Sequence, residues 1–506
     1  MSSLKLEFLT EAMEYLRPVL RETKTAEETA EAIIPDSCPD ITEILYTGGT
    51  CFLRGRELSE GGATVSVGVS AMVLTKPQGR ERPEVVEVYL PMTLHLEHSA
   101  LRPGLISCAQ AELRRVDSHM VNPRKVLVRA TVAVTLQVYE DCREEHPTAS
   151  ALPGIQLLEC REPVKLLTTM GEKNYTVEDS VGLTPEGTGT VLADYRVDIR
   201  HTDARLTGTR AVLKGNIYIT VLYLTDQGTL KSGQAQLPFS QYIDLGDCQE
   251  TDELQLTSCL TGADVELNSE GGLNVTLQML SRAEVWAKRE VRYLADLYAV
   301  GGEAQLERQN GTYESLLDRQ YFPVVGRAAL PGADGETPAL RCCPGELSHV
   351  RTGETTEFTL PVSVQVISCQ NGELRGGTVR VSLQCATQAA PGCRFSGEIT
   401  GLTATASPSG EGLDIKVSGT LCISTYGTTE ITEIIGGEVT QQAPQGNGPG
   451  LIIRRSGPGE TLWTIAKQYG TTMDAIRQAN GLDGEPEENT LLLIPGTAAC
   501  HSPVGA

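Results

Sequence analysis

Between residues 50 and 435 apolar and polar side chains alternate along the chain. A period of two is the signature of a strand with one buried face. Thr64–Val73, Val126–Leu136, Ala211–Leu224, Leu273–Leu280 and Asp414–Ile423 all show it. They predict the half-buried strands of an antiparallel β protein. The strands also recur in company. A Leu-Pro step stands at Leu90-Pro91, Leu237-Pro238 and Leu360-Pro361. A long alternating strand starts about 35 residues after the first two steps, at Val126 and Leu273. The third copy departs, with Thr378–Leu383 early and the long strand only at Leu413. A spacing of roughly 130–150 residues implies three related β modules, at 35–145, 176–300 and 315–437. Each proline is expected at the start of a strand, where no ladder donor is lost.

The texture differs at the two ends. Leu6, Leu9, Met13, Leu16 and Leu20 recur at intervals of three or four. They predict an amphipathic helical segment over 1–34, interrupted at Pro18. Asp40 is expected to cap a short helix from Ile41. Asp141–Gly154 and Gly301–Leu316 read as polar loops, and 441–450, rich in Gly, Pro and Gln, as a flexible linker. Beyond it, 451–496 predicts a strand at Leu451–Ile453 and a first helix capped near Glu460 or Thr461. A second helix starts at Thr471 and ends at Asn480-Gly481, before a closing strand at Leu491–Pro495. The expected fold class is mostly β: three repeated antiparallel β-sandwich-like modules, an N-terminal helix and a small C-terminal βααβ domain.

Charge narrows the partners. Lys and Arg number 42 against 65 Asp and Glu, a formal charge of −23, which excludes nucleic acid and anionic membrane as default partners. Aromatic residues are 5% and hydrophobic residues 40%, so the cores must be built from Val, Leu, Ile and Ala. The 14 cysteines include no Cys-x-x-Cys, and a chain this long needs no disulfide scaffold. Buried hydrophobe is the default reading for each. Cys342 and Cys343, expected in a loop, are candidates for cross-linking. Met1–Thr10 lacks the basic start and apolar core of a secretory signal, and no run is long enough for a transmembrane anchor. The expectation is a cytosolic chain with reduced thiols.

No phosphate-binding loop, Gly-x-Ser-x-Gly, Gly-x-Gly-x-x-Gly or His-Glu-x-x-His occurs. His95 and His98 stand three apart, on opposite faces of a strand, so no shared metal site is expected. No carboxylate pair is singled out for glycoside hydrolysis. The reading is a non-enzyme with no catalytic residue, metal or cofactor.

The C-terminal unit carries a recognisable motif. Gly459-Glu460-Thr461-Leu462-Trp463-Thr464-Ile465-Ala466, Asn480 and Leu492-Leu493-Ile494-Pro495 resemble the core of a LysM domain. Glu460 replaces the family's common Asp, and the usual Gly before the last strand is absent from Glu487-Glu488-Asn489-Thr490. Ile34-Pro35-Asp36, Pro39-Asp40-Ile41 and Ile44, the Leu-Pro steps and the LysM unit together resemble SPOCS-repeat (spore coat-associated) proteins of endospore-forming Firmicutes. The architecture is similar to that of SipL-like coat-morphogenesis proteins.

That resemblance implies a scaffold in the mother-cell cytosol, at the forespore surface and spore coat. The implied partners are the spore coat morphogenetic ATPase (SpoIVA-like) and other coat proteins. LysM units often bind N-acetylglucosamine polymers in a groove. Carried over, that groove would hold Gly459, Glu460, Thr461, Trp463, Asn480, Gly481 and Leu482. Core packing explains Leu462 and Trp463 as well, and capping explains Glu460, Thr461 and Asn480. Without an export signal, protein docking is preferred over peptidoglycan. The alternatives are a peptidoglycan-binding protein of the wall or cortex and a LysM-targeted wall hydrolase; self-assembly of the β modules into fibres is a further one.

Overall fold

The alternating segments become strands, and one pairing scheme occurs three times along the chain. The computed structural model describes residues 3–185, 188–333, 335–370, 373–410, 412–441 and 450–496. A short β1 (Ser3–Lys5) comes first. The first unit then holds β2 (Phe8–Ile33), β3 (Ile41–Ser59), β4 (Gly62–Pro77), β5 (Glu84–Glu97), β6 (Ile106–Asn122) and β7 (Lys125–Ser150). Its meander β3-β4-β5 is one antiparallel sheet, and β2-β7-β6 is a second with β7 in the middle.

The second unit repeats this with β8 (Ile155–Gly182), β9 (Val191–Thr207), β10 (Arg210–Leu224), β11 (Leu230–Asp244), β12 (Glu253–Leu267) and β13 (Gly272–Ala299). Its sheets are β9-β10-β11 and β8-β13-β12. The third holds β14 (Gly302–Pro331), β15 (Glu336–Pro344), β16 (Ser348–Thr352), β17 (Thr355–Gln370), β18 (Glu373–Gln388), β19 (Arg394–Ser409) and β20 (Gly412–Gln441). Here the first meander strand is split into β15 and β16, both paired to β17. β20 is the middle strand between β14 and β19. The chain ends with β21 (Leu451–Arg455), α1 (Leu462–Tyr469), α2 (Met473–Asn480) and β22 (Leu491–Pro495). No helix among the described residues is long and apolar enough to cross a membrane.

In each unit the apolar faces of the two sheets share one core. Val65, Val67 and Val69 of β4 pack in one cluster with Val128, Val132 and Val134 of β7. Leu213, Ile217 and Val221 of β10 do so with Leu273, Val275 and Leu277 of β13. Val362 and Val364 of β17 do so with Ile415 and Val417 of β20. Each such side chain contributes about 1.5–3 kcal/mol when fully buried, so these rows hold the sheets face to face.

The N-terminal segment is not the expected helix. β2 runs antiparallel to β7 from Phe8 opposite Ser150 to Ile33 opposite Lys125. Apolar residues three and four apart cannot all share one face of a strand. Met13 and Leu16 are buried while Leu9 is 65% exposed. Register shifts between Leu9 and Thr10 and between Pro18 and Leu20 absorb the change of face. Ile41 likewise opens a strand, not a helix.

The expected loops at 141–154 and 301–316 are strand for most of their length, leaving only Ala151–Gly154 and Val300-Gly301 as turns. The ends of β2/β7, β8/β13 and β14/β20 continue past the cores as three two-stranded ribbons that pack together. Tyr15, Val164, Leu166, Tyr293, Tyr313 and Ile431 form their common core. His146 Nδ1 lies 2.8 Å from Glu433 Oε2, so even a polar pair is interior there. The expected linker at 441–450 falls mostly on 442–449, outside the described residues.

The Leu-Pro steps lie within strands rather than at their starts. Pro91 and Pro238 sit in β5 and β11, each an edge strand with a free side. Pro361 sits in β17 between the stretch paired to β16 and the stretch paired to β15. At all three a missing donor is tolerated. Cys342 and Cys343 lie in β15, not in a loop, and are 6% and 5% exposed. Burial pushes the Cys342 thiol up to about 11, away from the reactive thiolate. The pair is therefore core, not the exposed loop thiols expected for cross-linking.

Candidate functional site

The C-terminal domain is built by local signals. β21 and β22 pair antiparallel, Leu451 opposite Pro495. Leu462, Ile465, Ile476, Leu492 and Ile494 are fully buried between this ribbon and the two helices. Thr461 caps α1: Thr464 N–H donates to its Oγ at 3.2 Å, and its own N–H donates to Thr464 Oγ at 3.0 Å. Such a reciprocal cap is worth about 1 kcal/mol. α2 starts at Met473, capped by Thr472, and ends at Gly481 with φ 63° in the left-handed region. Asn489, in the stretch before β22 that lacks the usual LysM glycine, takes φ 68°, a conformation asparagine tolerates well.

The seven candidate groove residues divide between two loops. Gly459, Glu460 and Thr461 lead into α1. The Glu460 carboxylate pairs with Arg454 and accepts the Gly457 N–H at 2.7 Å. The Arg454 hydrogen bond, then that N–H, holds its carboxyl below the usual carboxylate range. Asn480, Gly481 and Leu482 close α2. Asn480 clamps the helix to β22: its Nδ2 donates to Ile476 and Leu493 carbonyls at 2.8 and 2.7 Å, and Leu493 N–H donates to its Oδ1 at 2.7 Å. Leu482 packs on the domain core. Gly459, Thr461 and Gly481 are the exposed members. Glu485, absent from the seven candidates, joins the two loops by accepting the Leu462 N–H at 2.5 Å.

Asn480→Ala removes three hydrogen bonds to backbone at once. At about 1 kcal/mol each, the domain should lose roughly 2–3 kcal/mol. Faster amide hydrogen exchange across α2 and β22, with the rest of the chain unchanged, is the expected readout.

Trp463 does not face a groove. It is 6% exposed and packs against Tyr298, near the end of β13, with ring centroids 4.9 Å apart and edge to face. Its Nε1 donates to Asp296 Oδ2 at 3.0 Å, and Lys467 Nζ to the same oxygen at 2.6 Å. Tyr298 O–H donates to the Thr471 carbonyl at 2.7 Å. Burial works to raise the Asp296 carboxyl, but hydrogen bonds from Lys467 and Trp463 hold it below the ordinary aspartate range. Asp296 and Tyr298 lie some 170 residues from α1, and no local pattern marks them.

A family model described as LysM domain matches residues 457–485, from the loop before α1 to Glu485. A second, described as SipL, SPOCS domain, matches residues 191–268, which span β9 to β12. The chain carries a SipL-type SPOCS domain and a LysM domain. Comparison with curated proteins and with solved structures gives no match. The SPOCS match covers the meander of the second unit and the strand after it, and stops before the long β13. Both SPOCS and LysM are non-catalytic binding domains, and the SipL match ties the chain to the spore coat.

Proposed function

We propose that the chain is a non-enzymatic scaffold of spore coat assembly, formed of three diverged copies of one β module. Its LysM domain docks a coat-basement morphogenetic ATPase at the forespore surface in the mother cell. One observation supports protein docking over glycan binding. Trp463, the one aromatic among the seven groove candidates, is turned onto Tyr298, so the groove keeps no ring face for a sugar. What stays exposed is a short polar edge at Gly459, Thr461 and Gly481. The acidic body suits a soluble hub with several contact surfaces.

The second reading, peptidoglycan binding, is favoured by the LysM match itself. Pull-downs of the full chain on immobilised morphogenetic ATPase and on insoluble peptidoglycan separate the two. Retention on the ATPase, with little on the glycan, is the expected result. Robust glycan retention without ATPase binding overturns the docking reading.

A further inference from the structure

Where the three units meet, the sheets β2-β7-β6, β8-β13-β12 and β14-β20-β19 surround a cavity of about 300 Å³. The three middle strands contribute in matched tiers. Tyr139, Trp286 and Tyr426 occupy equivalent places on β7, β13 and β20 and share one apolar cluster, so the cavity has an aromatic end. The Trp286 and Tyr426 ring centroids are 5.5 Å apart.

One strand aims three polar groups into this space. Arg282, Glu284 and Trp286 alternate on β13, so they share a face, and they are 8%, 4% and 4% exposed. Trp286 Nε1 has no hydrogen-bond partner. Arg282 Nε and Glu284 Oε1 approach to 3.0 Å as an ion pair but without hydrogen-bond geometry, and each is otherwise unpartnered. Arg394, from β19, donates two hydrogen bonds to Glu314 and leaves its buried Nη1 unmatched. Buried polar atoms without partners are rare, and each costs about 1–3 kcal/mol. Four around one cavity, three donors and one acceptor, describe a site built for something that both accepts and donates.

The charges say what kind. Arg282 faces Glu284, Arg394 is held by Glu314 and Arg114 pairs with Glu112, so these charges are offset in pairs. Burial, then the charge of Glu112, pushes the Glu398 carboxyl up to about 7, against the pull of Arg282. No group of His, Cys, Asp and Glu among the described residues is arranged to hold a metal ion. A hydroxyl both accepts and donates, and an aromatic wall suits the C–H face of a ring. About 300 Å³ lies at the lower end of small-molecule sites. We propose that this central cavity binds one small neutral polyhydroxylated ring, a monosaccharide or cyclitol, through Arg282, Glu284, Trp286 and Arg394.

Saturation-transfer NMR on the full chain tests this, with glucose and myo-inositol as neutral probes and glutamate and inorganic phosphate as charged ones. Transfer to a neutral probe is expected, with a Kd of about 1 mM or tighter. Glu284→Gln, and separately Trp286→Phe, should weaken it about tenfold, as loss of one hydrogen bond would. Those variants also exclude a sugar held by the LysM domain, which neither touches. The proposal is overturned by no transfer to either neutral probe in the wild-type chain, which leaves the cavity to water. Binding of the charged probes alone, or neutral-probe binding that neither folded variant weakens, overturns it equally.

Discussion

Replacing Arg341 with alanine should destabilise the folded chain by about 3–5 kcal/mol. Arg341 of β15 belongs to the third unit, Asp194 of β9 to the second and Tyr46 of β3 to the first. All three are buried, at 8%, 6% and 7% exposure. Arg341 Nη1 donates to Asp194 Oδ2 at 2.5 Å, and Tyr46 O–H donates to the same oxygen at 2.7 Å. Arg341 Nη2 also donates to the Gly49 carbonyl. Glycine at 48 is what lets the carboxylate in, since a Cβ there would sit 2.2 Å from Asp194 Cγ.

Removing Arg341 strands the Asp194 charge in a dry junction between three units. Removing both charges together, as in Asp194→Asn with Arg341→Ala, should cost much less than the sum of the single changes, because the cost lies in the unpaired ion. Urea unfolding of the four proteins reads the coupling. A loss below about 1 kcal/mol for Arg341→Ala would show that water reaches the junction and screens it.

Tyr298→Ala should release the LysM domain from the body. It removes the ring against Trp463 and the hydrogen bond to Thr471, at a cost of about 3–5 kcal/mol by comparison with other buried aromatic truncations. Trp463 then meets water and its emission shifts to the red, while Trp286 stays buried as an internal reference. Amide exchange should quicken on α1 near Trp463 and leave β22 protected.

The same interface predicts a pH dependence with a definite sign. Asp296 titrates lower docked than free, so its contribution is fully present above the ordinary aspartate range. It fades as pH falls through the lowered value, so acid favours release. Trp463 emission that stays unshifted in the Tyr298→Ala protein would mean that other contacts hold the domain.

Legibility followed the range of the interactions. The alternation of Val65, Val67 and Val69, or of Ile415 and Val417, reports a local rule, since a strand with one wet face must read that way. The LysM caps were legible for the same reason: Thr461 and Gly481 act within three or four residues of themselves. β2 misled because Glu, Ala and Leu at helical spacing carry a real local preference. Pairing with β7 along its whole length outweighs that preference. Asp141–Ser150 and Gly302–Leu316 looked like loops because each ribbon buries few residues and finds its other walls on distant strands.

The sequence by itself determined the β class, the recurrence of Leu-Pro and long strands, the SPOCS and LysM resemblance and the acidic surface. Tertiary structure alone decided that Trp463 faces Tyr298 instead of a groove, and that Cys342 and Cys343 are core. It alone placed Tyr46, Asp194 and Arg341 on one point, and four unmatched polar atoms around one cavity. The physical reason is separation along the chain. Periodicity and capping are set by neighbours a few residues away, whereas a buried ion pair or a shared cavity exists only once strands hundreds of residues apart have closed on each other.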